Sequence, residues 1–186
     1  MIYALLDKEV LTQKGISLEK ISKKIQNLNI PIAQYRNKIG SLEEKRKDLQ
    51  EIRRHYSGQL IMNDTIELIE YADGLHVGQE DIRQYSADLN LAVKMIREKI
   101  LDKTLGLSTH NKEEILEANS LNIDYIGLGA YRGTQTKSEA KVLGEEAILL
   151  AEESKHPVGL IGGVKLKDSF SESITYLVVG SDLYED

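Results

Sequence analysis

Clusters of charged and amide side chains follow directly on short apolar runs along this 186-residue chain, and their types suit phosphate chemistry. In Gln34-Tyr35-Arg36-Asn37-Lys38, alternation along an extended segment puts Gln34, Arg36 and Lys38 on one side. Arg36 and Lys38 together would make a cationic site for a polyphosphate; the other reading is an exposed strand end. Asn63-Asp64 and Gly78-Gln79-Glu80-Asp81 follow the next two runs. The carboxylates Asp64 and Asp81, with amide oxygens nearby, could share a Mg²⁺ that also takes diphosphate oxygens. Asn63 or Asp64 could equally cap a helix over Thr65–Ala72, and the two roles are compatible.

Later clusters are richer in hydroxyls and glycines. Ser108-Thr109-His110-Asn111 ends one run, and Gly127-Leu128-Gly129 leads into Thr134-Gln135-Thr136-Lys137, where two hydroxyls and a lysine could hold a phosphate. Ile161-Gly162-Gly163-Val164 and Gly180-Ser181 close the last two runs. Glycines there let backbone N–H groups approach a phosphate, as in barrel phosphate sites. Of the four histidines, His76 lies inside a run and His110 just past one, while His55 and His156 read as surface residues. No histidine spacing suggests zinc.

The elements that must carry these clusters alternate between β-type and helical periodicity from end to end. Strands are expected at Ile2–Leu6, Ile32–Tyr35, Gln59–Met62, Leu75–Val77, Thr104–Leu107, Tyr125–Leu128, Val158–Ile161 and Tyr176–Val179. Eight strands alternating with helices point to a parallel (β/α)8 TIM barrel of the α/β class, with a doubly wound open sheet as the alternative. Ser41 with Glu44, and Asn111 with Glu114, have capping-box spacing. Apolar stripes Leu18-Ile21-Ile25, Leu42-Leu49-Ile52-Tyr56 and Leu91-Met95-Leu101 are expected to face the barrel. The stretch from Val164 to Tyr176 leaves room for only a short helix after the seventh strand, and the last helix must be missing, vestigial or truncated. Dimer contacts could then cover the exposed strands.

Bulk properties narrow the classes. One domain spanning 1–186 is expected, since 41% hydrophobic residues suffice for one core. Apolar runs are too short to cross a bilayer. Asp7, Lys8 and Glu9 interrupt the N-terminal apolar stretch, which argues against a signal peptide and for the cytoplasm. With no cysteine, disulfides, thiolate metal sites and a thiol nucleophile are excluded. Net charge is −6 and the basic residues are scattered, which argues against nucleic acid as a partner.

Taken in order, the clusters resemble the thiamine phosphate synthase family across nearly the whole chain. Gln34 to Lys38 is similar to that family's Gln-x-Arg-x-Lys motif, Asn63-Asp64 to its Asn-Asp, and Asp73 to Asp81 (DGLHVGQED) to its second acidic motif. Leu105 to His110 (LGLSTH), Asp124 to Gly129 (DYIGLG), Thr134 to Lys137 (TQTK) and Ile161 to Val164 (IGGV) continue the likeness. The resemblance implies a transferase that condenses 4-amino-5-hydroxymethyl-2-methylpyrimidine diphosphate with a thiazole phosphate, giving thiamine phosphate and pyrophosphate. It implies Mg²⁺ on Asp64 and Asp81, and Arg36, Lys38 and Lys137 neutralising the diphosphate beside Asn63. Gln34 and Ser108 would contact the pyrimidine diphosphate. Thr134, Thr136 and the backbone around Gly163, Gly180 and Ser181 would bind the thiazole phosphate. The chain departs from the family pattern at Gly129-Ala130-Tyr131-Arg132-Gly133-Thr134, which lacks two prolines and carries the extra charge of Arg132. Two alternatives stand beside the synthase: a thiazole tautomerase using His110, which would not need the Arg/Lys and Asn-Asp set, and a non-catalytic paralogue that binds a thiamine precursor.

Overall fold

The computed structural model describes residues 1–133 and 142–185. Its strands are β1 (Ile2–Asp7), β2 (Ile32–Arg36), β3 (Gln59–Asn63), β4 (Gly74–Val77), β5 (Thr104–Thr109), β6 (Tyr125–Leu128), β7 (Val158–Ile161) and β8 (Tyr176–Val179). They form a closed barrel in chain order. β1 pairs in parallel with β2, Tyr3 opposite Ile32, and with β8, Ala4 opposite Val179. Closure leaves no free sheet edge and excludes the open doubly wound sheet. Each expected apolar run is a strand, and several extend into the polar cluster that follows.

Alternation along the strands builds two separate cores. Outward residues such as Ala4, Leu6, Tyr35, Leu60, Met62, Leu105 and Leu107 are buried under the helices. Inward residues Tyr3, Leu5, Ile32, Ile61, Tyr125 and Val178 fill the barrel with Tyr176 and Ile161 against them. Tyr3, Tyr125 and Tyr176 meet edge to face near the strand starts, with ring centroids 5.9 to 6.1 Å apart. Rings of this size fit because neighbouring inward positions are glycine. A Cβ on Gly106 would lie 2.2 Å from Cζ of Tyr125.

The helices are α1 (Lys8–Gln13), α2 (Leu18–Asn27), α3 (Leu42–His55), α4 (Gln79–Arg83), α5 (Leu89–Ile100), α6 (Lys112–Ala118) and α7 (Glu146–Ala151). Asp7, Ser17, Ser41, Asp88 and Asn111 accept backbone N–H groups at the starts of α1, α2, α3, α5 and α6. The full capping box forms at Ser41 and Glu44. At Asn111 only half of it forms, because the Glu114 carboxylate accepts from the N–H of His110 (2.8 Å) instead.

Some expectations are corrected. The face of α5 that packs on the barrel is Leu89, Ala92, Val93, Ile96 and Ile100. Leu91, Met95 and Leu101 point to solvent, as does Leu42 at the start of α3. Leu91 stands two residues from Leu89, about 200° around the helix, so a stripe through Leu91 and Met95 faces away. The short helix expected between β7 and β8 does not form; the stretch from Ile161 to Tyr176 is turns and irregular chain, with Val164 buried and Phe170 and Ile174 against the core. After β8 the described residues form a 3-10 turn at Ser181–Tyr184. Leu183 and Tyr184 are buried, and the Tyr184 hydroxyl accepts from the Asp7 N–H (2.9 Å) and donates to the Leu5 carbonyl. No helix among the described residues is long and apolar enough to cross a membrane.

The tyrosine and glycine fit predicts that Gly106→Ala costs about 1–3 kcal/mol by overpacking. A urea unfolding midpoint unchanged from wild type would show that the interior has slack at this position.

Candidate active site

The clusters that end the strands converge on the mouth of the barrel. Gln34, Arg36, Asn63, Ser108, Gly163, Gly180 and Ser181 all line one cavity, together with Leu5, His76, His110, Ile161 and Val178. Lys38, Asp64 and Asp81 line a second, more polar cavity that shares Asn63 with the first. Thr134, Thr136 and Lys137 lie outside the described residues.

Within the second cavity, the Lys38 ammonium donates to Asp64 Oδ2 and reaches Asp81 Oδ2 at 3.3 Å. Burial by itself would depress the Lys38 pKa, but the two carboxylates outweigh it and hold the pKa above its ordinary value. Asp64 does not cap the segment that follows. That segment is a kinked 3-10 turn over Ile66–Tyr71 with no side-chain cap, which overturns the capping role for Asn63 or Asp64. Asp64 instead has a left-handed backbone (φ 59°), its Oδ1 accepts from the Gly78 N–H (3.0 Å), and its Oδ2 accepts from Asn63. A Cβ on Gly78 would come within 2.8 Å of Asp81 Oδ2, so a larger residue there would move that carboxylate.

Arg36 ends β2 with its guanidinium on Asp7 Oδ2. The other Asp7 oxygen accepts from the N–H groups of Glu9 and Val10, each at 3.1 Å, so one buried carboxylate both starts α1 and orients Arg36. Sequence reasoning missed Asp7, seeing in it only a break in an apolar run. Its signal was the alternation from Tyr3 through Leu5, which puts residue 7 on the inner face.

Beneath the first cavity runs a buried hydrogen-bonded chain. Gln34 Nε2 donates to the Tyr3 hydroxyl (2.9 Å), the Tyr3 and Tyr125 hydroxyls are 2.8 Å apart, and His76 Nδ1 is 2.9 Å from Tyr125. His76 Nε2 is 2.9 Å from Ser108 Oγ. Burial raises both phenol pKa values, so both stay protonated. Running the protons from Gln34 through Tyr3 and Tyr125 to Nδ1 gives each hydroxyl proton an acceptor and puts the imidazole proton on Nε2. Ser108 Oγ then accepts from His76 and keeps its own proton to donate into the cavity. The Ser108 carbonyl accepts from Gln79 Nε2 (2.8 Å). Tyr3, Tyr125 and Gln79 were not anticipated as supporting residues, and His76 was noted only for its strand.

Two positive-φ glycines, Gly162 (97°) and Gly163 (60°), shape the wall after β7. His110 also lines the first cavity, its Nδ1 2.9 Å from Glu114 Oε2. Among the described residues, the group of three metal-ligating side chains is Glu19, Glu51 and His55. It lies on α2 and α3, away from this mouth, and Lys23 already pairs with Glu19. His55 is therefore half-buried beside Glu51, not a free surface residue. His156 is also half-buried, 3.0 Å from the Ala118 carbonyl.

The family model described as "Thiamine monophosphate synthase" matches residues 2–171. The chain belongs to this family. It is 32% identical to the thiamine-phosphate synthase of Dictyoglomus thermophilum, across 89% of this chain and 78% of that one. It is 36% identical to the thiamine-phosphate synthase of Caldicellulosiruptor bescii, across 81% and 73%. The thiamine phosphate pyrophosphorylase of Pyrococcus furiosus shares the fold, with a TM-score of 0.74 at 22% identity over 97% of this chain and 85% of that one. The barrel also matches (S)-3-O-geranylgeranylglyceryl phosphate synthase from Thermoplasma acidophilum, TM-score 0.65 at 12% identity, covering 100% and 87%. The family's members share a fold with barrels of other names, so the mouth and not the barrel distinguishes them.

The buried chain makes a separate prediction. Tyr125→Phe should cost about 1–3 kcal/mol, because it removes the hydroxyl that bonds to both Tyr3 and His76 Nδ1. Combined with Tyr3→Phe, the loss should be clearly less than the sum of the single losses. Additive losses in urea unfolding would show that the links do not act as one chain.

Proposed function

We propose that this chain is a thiamine phosphate synthase, joining the methylene carbon of 4-amino-5-hydroxymethyl-2-methylpyrimidine diphosphate to the ring nitrogen of a thiazole phosphate and releasing pyrophosphate. The observation that carries the reading is the meeting of Lys38, Asp64 and Asp81 beside a cavity walled by Arg36, Asn63, Ser108 and Gly163. In this reaction the C–O bond to the diphosphate breaks with its electron pair going to the leaving group, and a C–N bond forms. No proton need be removed from the attacking nitrogen, so fixed positive charge at the leaving group matters more than a base. Arg36, oriented by Asp7, and Lys38 supply that charge. Lys137 would add to it by its place in the sequence. Ser108 offers a hydroxyl proton to the pyrimidine side, and the Gly162–Gly163 and Gly180–Ser181 backbones suit the thiazole phosphate.

Asp64 and Asp81 offer hard carboxylate oxygens that already meet at one cation, a donor set suited to Mg²⁺. When bound there, the ion would neutralise diphosphate oxygens. The same reading makes the chain a cytoplasmic small-molecule enzyme, and its net charge of −6 disfavours a nucleic-acid partner. A thiazole tautomerase would use His110 at the same cavity, but Lys38, Asp64 and Asp81 would then have no group to act on.

The direct test is to incubate the protein with both substrates and Mg²⁺ and to follow thiamine phosphate by chromatography, with and without chelator. Metal-dependent product is expected. Absence of product with retained binding of the thiazole phosphate would instead favour the tautomerase or a binding paralogue. Asp64→Ala should lower the rate by about 10²-fold or more while the fold is kept; an undiminished rate removes the acidic pair from the site. Lys38→Met should nearly abolish turnover yet tighten Mg²⁺ binding by about threefold to tenfold, since a competing cation leaves the carboxylates. Calorimetric titration showing unchanged Mg²⁺ affinity would mean that lysine and metal do not share them.

A further inference from the structure

The sequence left Arg132 without a purpose, and its surroundings supply one. Its Nη1 donates to the carbonyl of Gly163 (2.9 Å) and to Asp168 Oδ2 (2.5 Å), and its Nη2 lies 3.3 Å from Asp168 Oδ1. Asp168 Oδ2 also accepts from the Lys165 N–H (2.9 Å). The backbone at the same level joins in: the Tyr131 N–H donates to the Ile161 carbonyl (2.8 Å) and the Arg132 N–H to the Gly162 carbonyl (2.9 Å). The guanidinium lies 4.6 Å from the Tyr131 ring centroid, and that ring meets Phe170 edge-on at 5.1 Å. The side chain therefore ties the segment after β6 to the loop after β7 at several points.

What it ties down is the pair of consecutive positive-φ glycines. Glycine is the residue with most backbone freedom to lose, so a Gly-Gly turn with no restraint would sample many shapes. Contact on both sides limits it here. A Cβ on Gly162 would come within 2.7 Å of Ala130 Cβ, and one on Gly163 within 2.8 Å of Arg132 Cβ. The Gly163 and Val164 N–H groups take no partner among the described residues, and both residues line the first cavity. The same loop is tied to the other glycine turn, since the Leu166 N–H donates to Asp182 Oδ2 (2.8 Å), next to Ser181.

We propose that Arg132 and Asp168 form a clamp that holds the Gly162–Gly163 turn ready to receive the phosphate of the thiazole substrate, making Arg132 a positioning residue. The proposal rests on the synthase reading for the identity of the phosphate. Arg132 spends its charge on Asp168 and its reach on the Gly163 carbonyl, so its effect on the ligand passes through the backbone. The clamp should act on the affinity for one substrate and leave the departure of pyrophosphate alone.

Arg132→Ala and the nearly isosteric Asp168→Asn are compared with wild type in steady-state kinetics for each substrate. Each should raise KM for the thiazole phosphate about tenfold, with kcat and KM for the pyrimidine diphosphate changed less than about threefold. The double variant should be no worse than either single one, because both remove the same clamp. An unchanged thiazole phosphate KM overturns the proposal, as does a parallel loss of kcat and both KM values with a lowered melting temperature. If wild type forms no thiamine phosphate, the synthase reading fails, and the clamp is judged by titrating inorganic phosphate into wild type and Arg132→Ala. Weaker binding in the variant upholds the clamp, and equal or absent binding in both overturns it.

Discussion

Closure of β1 onto β8 imposes the constraint on which everything else in this molecule depends: the space inside eight strands must be filled by the side chains that alternation turns inward. At the strand starts the filling is Tyr3, Tyr125 and Tyr176, made possible by small residues such as Gly106. One layer further up, the inward positions are Gln34, His76 and Ser108, and the next residues outward are Arg36, Asn63 and the glycine turns. The tyrosine hydroxyls join the two regions, since the polar ends of the packing layer are hydrogen-bonded to the floor of the site. Packing and positioning are therefore one structure here, and a change to the lower ring layer is felt by Ser108.

The eight strands were legible because both of their faces are buried, so they read as compact apolar runs, and the site was legible because polarity changes abruptly where the runs end. What escaped were contacts between residues distant in sequence. Tyr3 and Tyr125 share a hydrogen bond across 122 positions, and neither has a local pattern to mark it. The α5 face was misjudged because the stripe was drawn through Leu91 and Met95, whereas the residues that pack are Leu89, Ala92, Val93, Ile96 and Ile100. Asp64 and Asn63 stand where a cap belongs, but the left-handed backbone of Asp64 turns its carboxylate toward Gly78 and Lys38. Tertiary hydrogen bonds outweighed the local capping preference there.

Three of the described cations at the mouth are paired with carboxylates. Arg36 is matched by Asp7, Lys38 by Asp64 and Asp81, and Arg132 by Asp168. Taking cations out of water without partners would be costly, and these carboxylates limit that cost while fixing where each cation points. They differ in what they leave available. Asp7 is buried and also occupied by the start of α1, so Arg36 stays anchored while presenting its remaining donors. Lys38 is 41% exposed, and among the described residues its ion-pair partners are Asp64 and Asp81, so its ammonium is less firmly fixed than the Arg36 guanidinium. Arg132 is held by Asp168 and a carbonyl together, which suits a supporting part.

The order of the loops after β7 and β8 becomes intelligible in the same terms. With no helix between β7 and β8, the loop after β7 lacks the packed layer that would ordinarily hold it. The chain restores order with hydrogen bonds: Tyr184 bridges Leu5 and Asp7 across the β1 end, Asp182 takes the Leu166 N–H, and Asp168 takes Arg132 and the Lys165 N–H. Apolar packing can stabilise a loop in several neighbouring shapes, whereas a hydrogen bond with defined donor and acceptor directions selects one. For loops that line a cavity, selecting one shape matters more than adding stability. Holding these two loops by a few directed bonds is therefore consistent with a phosphate site on them.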